Sequence, residues 1–202
     1  MAPDFGLTPR EAARLRALSS PARIQRFLDD LDYDAAGREC RSPRRVLREG
    51  RVQCLDGAIF GAAALRLQGH PPLVLDLEAD RDDDHVIAVY RHKGAWGAVG
   101  RSNYSGLRFR EPVFRTVREL ALSYLESYFN LRREKTLRRY SRPVSLARFD
   151  ARRWMVAPDD LWYVAEHLVT VRHYRLLTKA QEGTLARVDA RTFTAGLVGR
   201  AT

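Results

Sequence analysis

Cys54 opens the string CLDGAIFGAAALRLQGHPP, whose pattern predicts a helix from Cys54 to Leu67, ended by Gly69, Pro71 and Pro72. A cysteine in the first turn of a helix meets unpaired backbone N–H groups and the positive end of the helix dipole. Both favour the thiolate and predict a lowered pKa. The same amides can bind a tetrahedral oxyanion, the Cys54 N–H first among them, with Gln53 or another upstream side chain able to add a second donor. A thiol nucleophile needs an imidazole base. His85 begins the alternating string HVIAVY, a strand expected on the sheet against which the Cys54 helix packs. The other histidines lie outside this constellation: His70 beside prolines, His92 in a turn, His167 and His173 in the C-terminal part.

A third group should accept a hydrogen bond from the His85 ring and fix its tautomer, and the returning strand AWGAVG and its continuation must supply it. The turn sets the residue. A two-residue turn at Lys93-Gly94 brings Ser102 opposite His85, whereas a three-residue loop from Lys93 to Ala95 with a bulge presents Asn103. Asn is the better orienting group, so Asn103 is the expected third member and Ser102 the alternative.

The run Asp82, Asp83, Asp84 before His85 invites a metal reading, but successive side chains of an extended segment point to opposite sides. No second histidine or acid pair is spaced to complete a site, so neither a metal nor another cofactor is expected. Cys40 reads as a buried small residue, and the two cysteines read as free thiols.

The elements that would position these groups are legible in turn. Thr8-Pro9 with Glu11, and then Ser20-Pro21, open two short helices that would cover the core. Arg38, Arg41, Arg44, Arg45, Arg48 and Arg51 form a stripe on a helix beginning near Ser42-Pro43 that leads into Cys54. Gly57 and Gly61 thin the Cys54 helix, which suits close packing on a sheet. PLVLDLE, HVIAVY and AWGAVG read as antiparallel strands, and Phe114 to Phe129 as a single later helix. After Asn130 the composition shifts to an Arg-rich run, followed by a helix near Asp159 to Leu168.

The strings CLDGAIFGAAALRLQGHPPLVLDL, DDDHVIAVY and WGAVGRSNYSGLRFREPV resemble the core of the transglutaminase-like cysteine peptidase superfamily, in particular its compact bacterial members. The likeness spans roughly residues 45 to 130. It implies an α+β, papain-like core with the nucleophile helix packed on an antiparallel sheet, Cys54 as nucleophile and His85 as base. Residues 1–130 would then form the catalytic core with its helical cover, and residues 131–202 a C-terminal extension packed on it. Val52 stands where the family usually has glycine, and GRSNY where it often has a DPT-like string.

Composition narrows the context. The chain has 202 residues, 45% of them hydrophobic, enough for one substantial core. No apolar run is long enough to cross a membrane, and charges break every early hydrophobic stretch, so a cytoplasmic protein is expected. The net charge of +10 comes from 35 basic against 25 acidic residues, and only Lys93, Lys135 and Lys179 are lysines. An acidic partner is thus conceivable through the arginine stripe, but no nucleic-acid motif is present. Two function classes follow. In the first, Cys54, His85 and Asn103 carry acyl transfer, expected as hydrolysis of a protein, peptide or small amide, with transfer to an amine as the alternative. In the second, the chain is a non-catalytic binding module.

Overall fold

Thr8 and Ser20 each accept a backbone N–H at the start of a helix whose first residue is proline, giving α1 (Pro9–Ala17) and α2 (Pro21–Asp29). The computed structural model describes residues 5–201. Next come β1 (Asp32–Tyr33), α3 (Pro43–Glu49), β2 (Arg51–Val52) and α4 (Cys54–Leu67). β1 and β2 pair in parallel, Tyr33 beside Val52, so the chain is clamped one residue before α4 begins. Gly50, at φ 68°, closes α3 in the left-handed region.

β3 (Leu73–Ala79), β4 (His85–His92), β5 (Ala95–Val99) and β6 (Arg110–Phe114) form an antiparallel run. After it come α5 (Val117–Leu122), β7 (Leu137–Ser141), β8 (Val144–Ser145), α6 (Trp162–Thr170), β9 (His173–Arg175), α7 (Lys179–Gly183) and α8 (Ala190–Gly196). The sheet has seven strands in the order β6-β5-β4-β3-β7-β9, with β8 also on β3. The fold is α+β. The boundary expected at residue 130 is not an edge of the sheet, because β7 and β8 from beyond it pair with β3.

Alternation along the strands sorts the core onto two faces. Val74, Val86, Ala88, Tyr90 and Val99 face α4 and the helices around it. Leu75, Leu77, Ile87, Val89 and Ala98 face Leu120, Tyr124 and Tyr128. α4 lies close to the sheet at its glycines. A Cβ on Gly61 would stand 2.8 Å from Val99 Cγ2, and one on Gly57 2.6 Å from Arg101 Cβ. Among the described residues no helix is long and apolar enough to cross a membrane.

Two local expectations are corrected. The hairpin between β4 and β5 pairs His92 with Ala95 and turns on Lys93 and Gly94 at φ 47° and 84°. This is the two-residue turn whose primed twist suits adjoining strands, so the three-residue loop with a bulge does not form. Phe114 to Phe129 is not a single helix. Phe114 ends β6, whose proline Pro112 sits on an edge strand where no ladder donor is needed, and Thr116 caps the short α5. Ser123 Oγ then donates to the Leu120 carbonyl, and the chain tightens into a 3-10 turn at Leu125–Ser127.

Within the arginine stripe Arg41 is buried, Arg44 and Arg45 are half-buried, and Arg38, Arg48 and Arg51 are exposed. α3 spans only Pro43–Glu49, and Arg41, 3% exposed, lies before it. Arg41 pairs with Asp34, Glu39, Glu49 and Asp56, Arg44 with Glu11, and Arg45 with Glu39, Glu49 and Asp160.

Candidate active site

The start of α4, the end of β3, the start of β4 and the segment after β5 surround a cavity of about 650 Å³. Cys54 and His85 both line it.

Cys54 is the first residue of α4, and Gln53 is its N-cap. Gln53 Oε1 accepts the Leu55 N–H at 3.2 Å and the Cys54 thiol at 3.3 Å, while the Asp56 carboxylate reaches back to the Gln53 N–H. With the Gln53 side chain also accepting the Asp56 N–H, the Cys54 N–H is the first-turn donor left outside the cap. Cys54 is partly exposed, and Cys40 is buried; both are free thiols.

The lowered thiol pKa expected of a helix start is not found. Burial pushes the Cys54 thiol up to about 11, and the neighbouring Asp56 charge adds to the rise. The backbone N–H groups of Val86 and Leu55 oppose it with less effect. Desolvation outweighs the helix dipole here, and the acid that completes the cap works against the dipole.

His85 is the first residue of β4 and stands opposite Leu77. Alternation places it on the face of Ile87 and Val89, and its Nε2 lies 2.7 Å from the Leu107 carbonyl oxygen. A carbonyl only accepts, so Nε2 carries the proton and Nδ1 keeps its lone pair. Among the described residues Nδ1 has no hydrogen-bond partner. Among the described residues the enclosed unpartnered side-chain atoms are only Arg101 Nε and Tyr163 Oη, so Nδ1 opens to the cavity. Burial lowers the imidazole pKa to about 4, against the raising effect of the Leu107 bond, and Arg110 lowers it slightly further. At neutral pH the ring is an uncharged acceptor. No hydrogen bond joins it to Cys54. The thiol meets β4 at the Val86 N–H, while the ring reaches the cavity from the other face of the sheet at the strand's first residue.

Asn103 and Ser102 both line the cavity but neither hydrogen-bonds the His85 ring. The Asn103 Nδ2 donates to the Ala201 carbonyl at 3.0 Å, and its Oδ1 accepts the Ala201 N–H at 2.7 Å. Ser102 Oγ accepts the Tyr104 N–H at 3.0 Å. The register explains this: pairing of β4 with β5 ends at Ala88 and Val99, so the chain has left the ladder before Ser102. The orienting group for His85 is a main-chain carbonyl, which no side-chain pattern announces.

A second histidine was also missed. Asp76, on β3, lines the cavity, and its Oδ2 lies 3.0 Å from Nε2 of His173, whose Nδ1 contacts the Val171 carbonyl at 2.9 Å. Since Nδ1 must donate to that carbonyl, a further proton sits between Nε2 and Asp76. Burial raises Asp76 to about 6, against the lowering effect of the His173 bond. Alternation of PLVLDLE marks Asp76 as inward-facing, a signal that could have found it. Asp82, Asp83 and Asp84 complete an acidic wall. Among the described residues no group of three or more His, Cys, Asp or Glu side chains is placed to hold a metal ion.

Compared with known protein families and with curated proteins, the chain matches none.

Proposed function

We propose that this chain is a thiol-dependent acyl-transfer enzyme of papain-like or transglutaminase-like design, acting on an amide or peptide bond. The observation that carries the reading is the fixed tautomer of His85. Its Nε2–H is held by Leu107, and its basic Nδ1 opens onto the cavity lined by Cys54.

The resting pair is a thiol and a neutral imidazole, so the proton leaves as the nucleophile attacks. The Cys54 sulfur bonds to the substrate carbonyl carbon while its proton passes to His85 Nδ1. The carbonyl π pair moves onto oxygen, which meets the Cys54 N–H at the start of α4. Collapse expels the amine, which takes the proton from Nδ1 and leaves a thioester on Cys54. Water or a second amine, losing its proton to Nδ1, then attacks the thioester and restores the thiol. Hydrolysis is the favoured outcome, and transfer to an amine uses the same groups. Two free thiols suit a reducing, cytoplasmic setting.

The test is capture of the thioester. Incubation with a p-nitrophenyl ester should add one acyl group to Cys54, read by mass spectrometry, and neither Cys54→Ala nor His85→Gln should acquire it at a comparable rate. Acylation indifferent to His85→Gln would refute the assignment.

A second reading, a non-catalytic binding module, is favoured by one observation, the thiol held at about 11 in the resting state. It predicts no acyl-enzyme in the same experiment. An acidic partner bound through the arginine stripe has less support, since Arg41, Arg44 and Arg45 are engaged by carboxylates of the chain itself.

A further inference from the structure

The cavity's charge is opposite to that of the chain. Asp34, Asp76, Asp82, Asp83 and Asp84 line it, and among the described lining residues the only lysine or arginine is Arg200. Asp34 is paired with Arg41 at 2.8 Å and Asp76 with His173 at 3.0 Å, which leaves Asp82 to Asp84 and Arg200 lining the same space.

Arg200 belongs to the segment after α8, and that segment is held in a particular way. Both main-chain groups of Ala201 bond to the one amide of Asn103, N–H to Oδ1 and C=O to Nδ2. A residue whose N–H and C=O point to the same side has the arrangement of a strand residue, and the Asn103 amide meets it as a neighbouring strand would. Nothing in this pairing reads the alanine side chain. The residue before it places its guanidinium over the Tyr104 ring, 5.7 Å from the centroid. Upstream, Ser105 anchors the end of α8 through its N–H to the Gly196 carbonyl and its Oγ to the Ala195 carbonyl.

We infer that Asn103 forms a backbone-reading subsite for an extended peptide with a cationic side chain on the residue before the one it grips, and that Arg200 and Ala201 occupy this subsite from within the chain. The inference rests on the proposed function in that it names the substrate class of the same cavity. Recognition uses a strand-like main-chain pair for affinity and an aromatic face with an acidic wall for selection. The internal occupant fills part of the cavity that Cys54 lines and keeps outside peptides from the subsite until it is displaced.

The experiment reads accessibility of Cys54, not turnover. The full chain is treated with N-ethylmaleimide at fixed pH, and modification of Cys54 is followed by peptide mass spectrometry, with buried Cys40 as internal control. Ala201→Pro removes the N–H that bonds Asn103 and lies outside every helix and strand. It should speed labelling at least about threefold by raising the open population, as should Asn103→Ala. Acetyl-Gly-Arg-Ala-amide should restore protection to the Ala201→Pro chain but not to Asn103→Ala, and its Glu analogue should protect about tenfold more weakly. Unchanged labelling in both variants overturns the inference. So does equal protection by the Arg and Glu peptides, or protection that survives Asn103→Ala. A chain that forms no acyl-enzyme but shows the expected labelling pattern refutes the proposed chemistry and leaves the subsite standing.

Discussion

Nε2 of His85 and the carbonyl oxygen of Leu107, 22 positions apart in sequence, lie 2.7 Å from each other inside the protein. The contact assigns the imidazole's protons without any side-chain partner. It gives the ring the role that a carboxylate or amide would otherwise hold it in, but with an acceptor that carries no charge. An uncharged acceptor does little to stabilise an imidazolium, in keeping with a ring whose burial keeps its pKa near 4.

Acylation should therefore depend on His85 and not on Ser102. With p-nitrophenyl acetate, His85→Gln should slow Cys54 acylation by a factor of about 10² to 10⁴, the usual contribution of a positioned base. Ser102→Ala removes only a turn contact to the Tyr104 N–H, not a contact to the reacting groups, and should change the rate by less than about threefold. A large loss in Ser102→Ala would restore that hydroxyl to the catalytic set.

Burial of neutral His85 makes stability depend on pH. Its folded pKa is near 4 and its unfolded value near 6.5, so between these limits the unfolded chain binds more protons. Stability from this group is whole above pH 6.5 and is lost as pH falls toward 4, by about 3 kcal/mol in total. Asp56 and Asp76, both raised to about 6, act in the opposite sense over part of that range. The difference in urea midpoint between the parent and His85→Gln isolates the histidine: the parent should lose its advantage on acidification.

Asp56 adds to the reluctance to ionise that burial gives the Cys54 thiol. Asp56→Asn keeps an acceptor for the Arg41 N–H but removes the charge near Cys54, so the pH profile of iodoacetamide labelling should move to lower pH. A profile that stays in place would mean burial alone sets the thiol.

Arg41 is the hub on which the approach to Cys54 is built. Arg41→Met leaves Asp34 and Asp56 buried without their cation, and the expected loss is about 3–5 kcal/mol in chemical denaturation. Arg41→Lys should recover little, because one ammonium cannot reach the carboxylates that the fork spans.

Gly61→Ala should cost about 1–3 kcal/mol by overpacking, since its Cβ would meet Val99 Cγ2 at 2.8 Å and Ala88 Cβ at 3.1 Å. A neutral outcome would show that β5 can yield at Val99.

What could be read in the sequence followed the strength of local signals. The α4 helix with its thin glycine face, the β3 to β5 strands and the caps at Thr8, Ser20 and Ser42 are written in adjacent residues, and each forms. The hairpin is legible too: Lys93-Gly94 suits the two-residue turn that forms, and nothing local calls for the bulge that would present Asn103. The remainder depends on contacts distant in sequence: the Leu107 carbonyl has no residue type, and Asp76 meets His173 only because β9 lies beyond β7. The ion pairs of Arg41, Arg44 and Arg45 are not legible because their carboxylate partners are scattered from Glu11 to Asp160.

The place of β3 in the sheet has a consequence for synthesis. Its one side pairs with β4, which follows at once, but its other side waits for β7 and β8, which begin only at Leu137 and Val144. A nascent chain that has emerged only to residue 130 carries Cys54, His85 and an open row of β3 amides and carbonyls, an edge prone to pair with another copy. The Cys54 thiol therefore reaches its finished surroundings only late in translation, when the strands from the second half close over that edge.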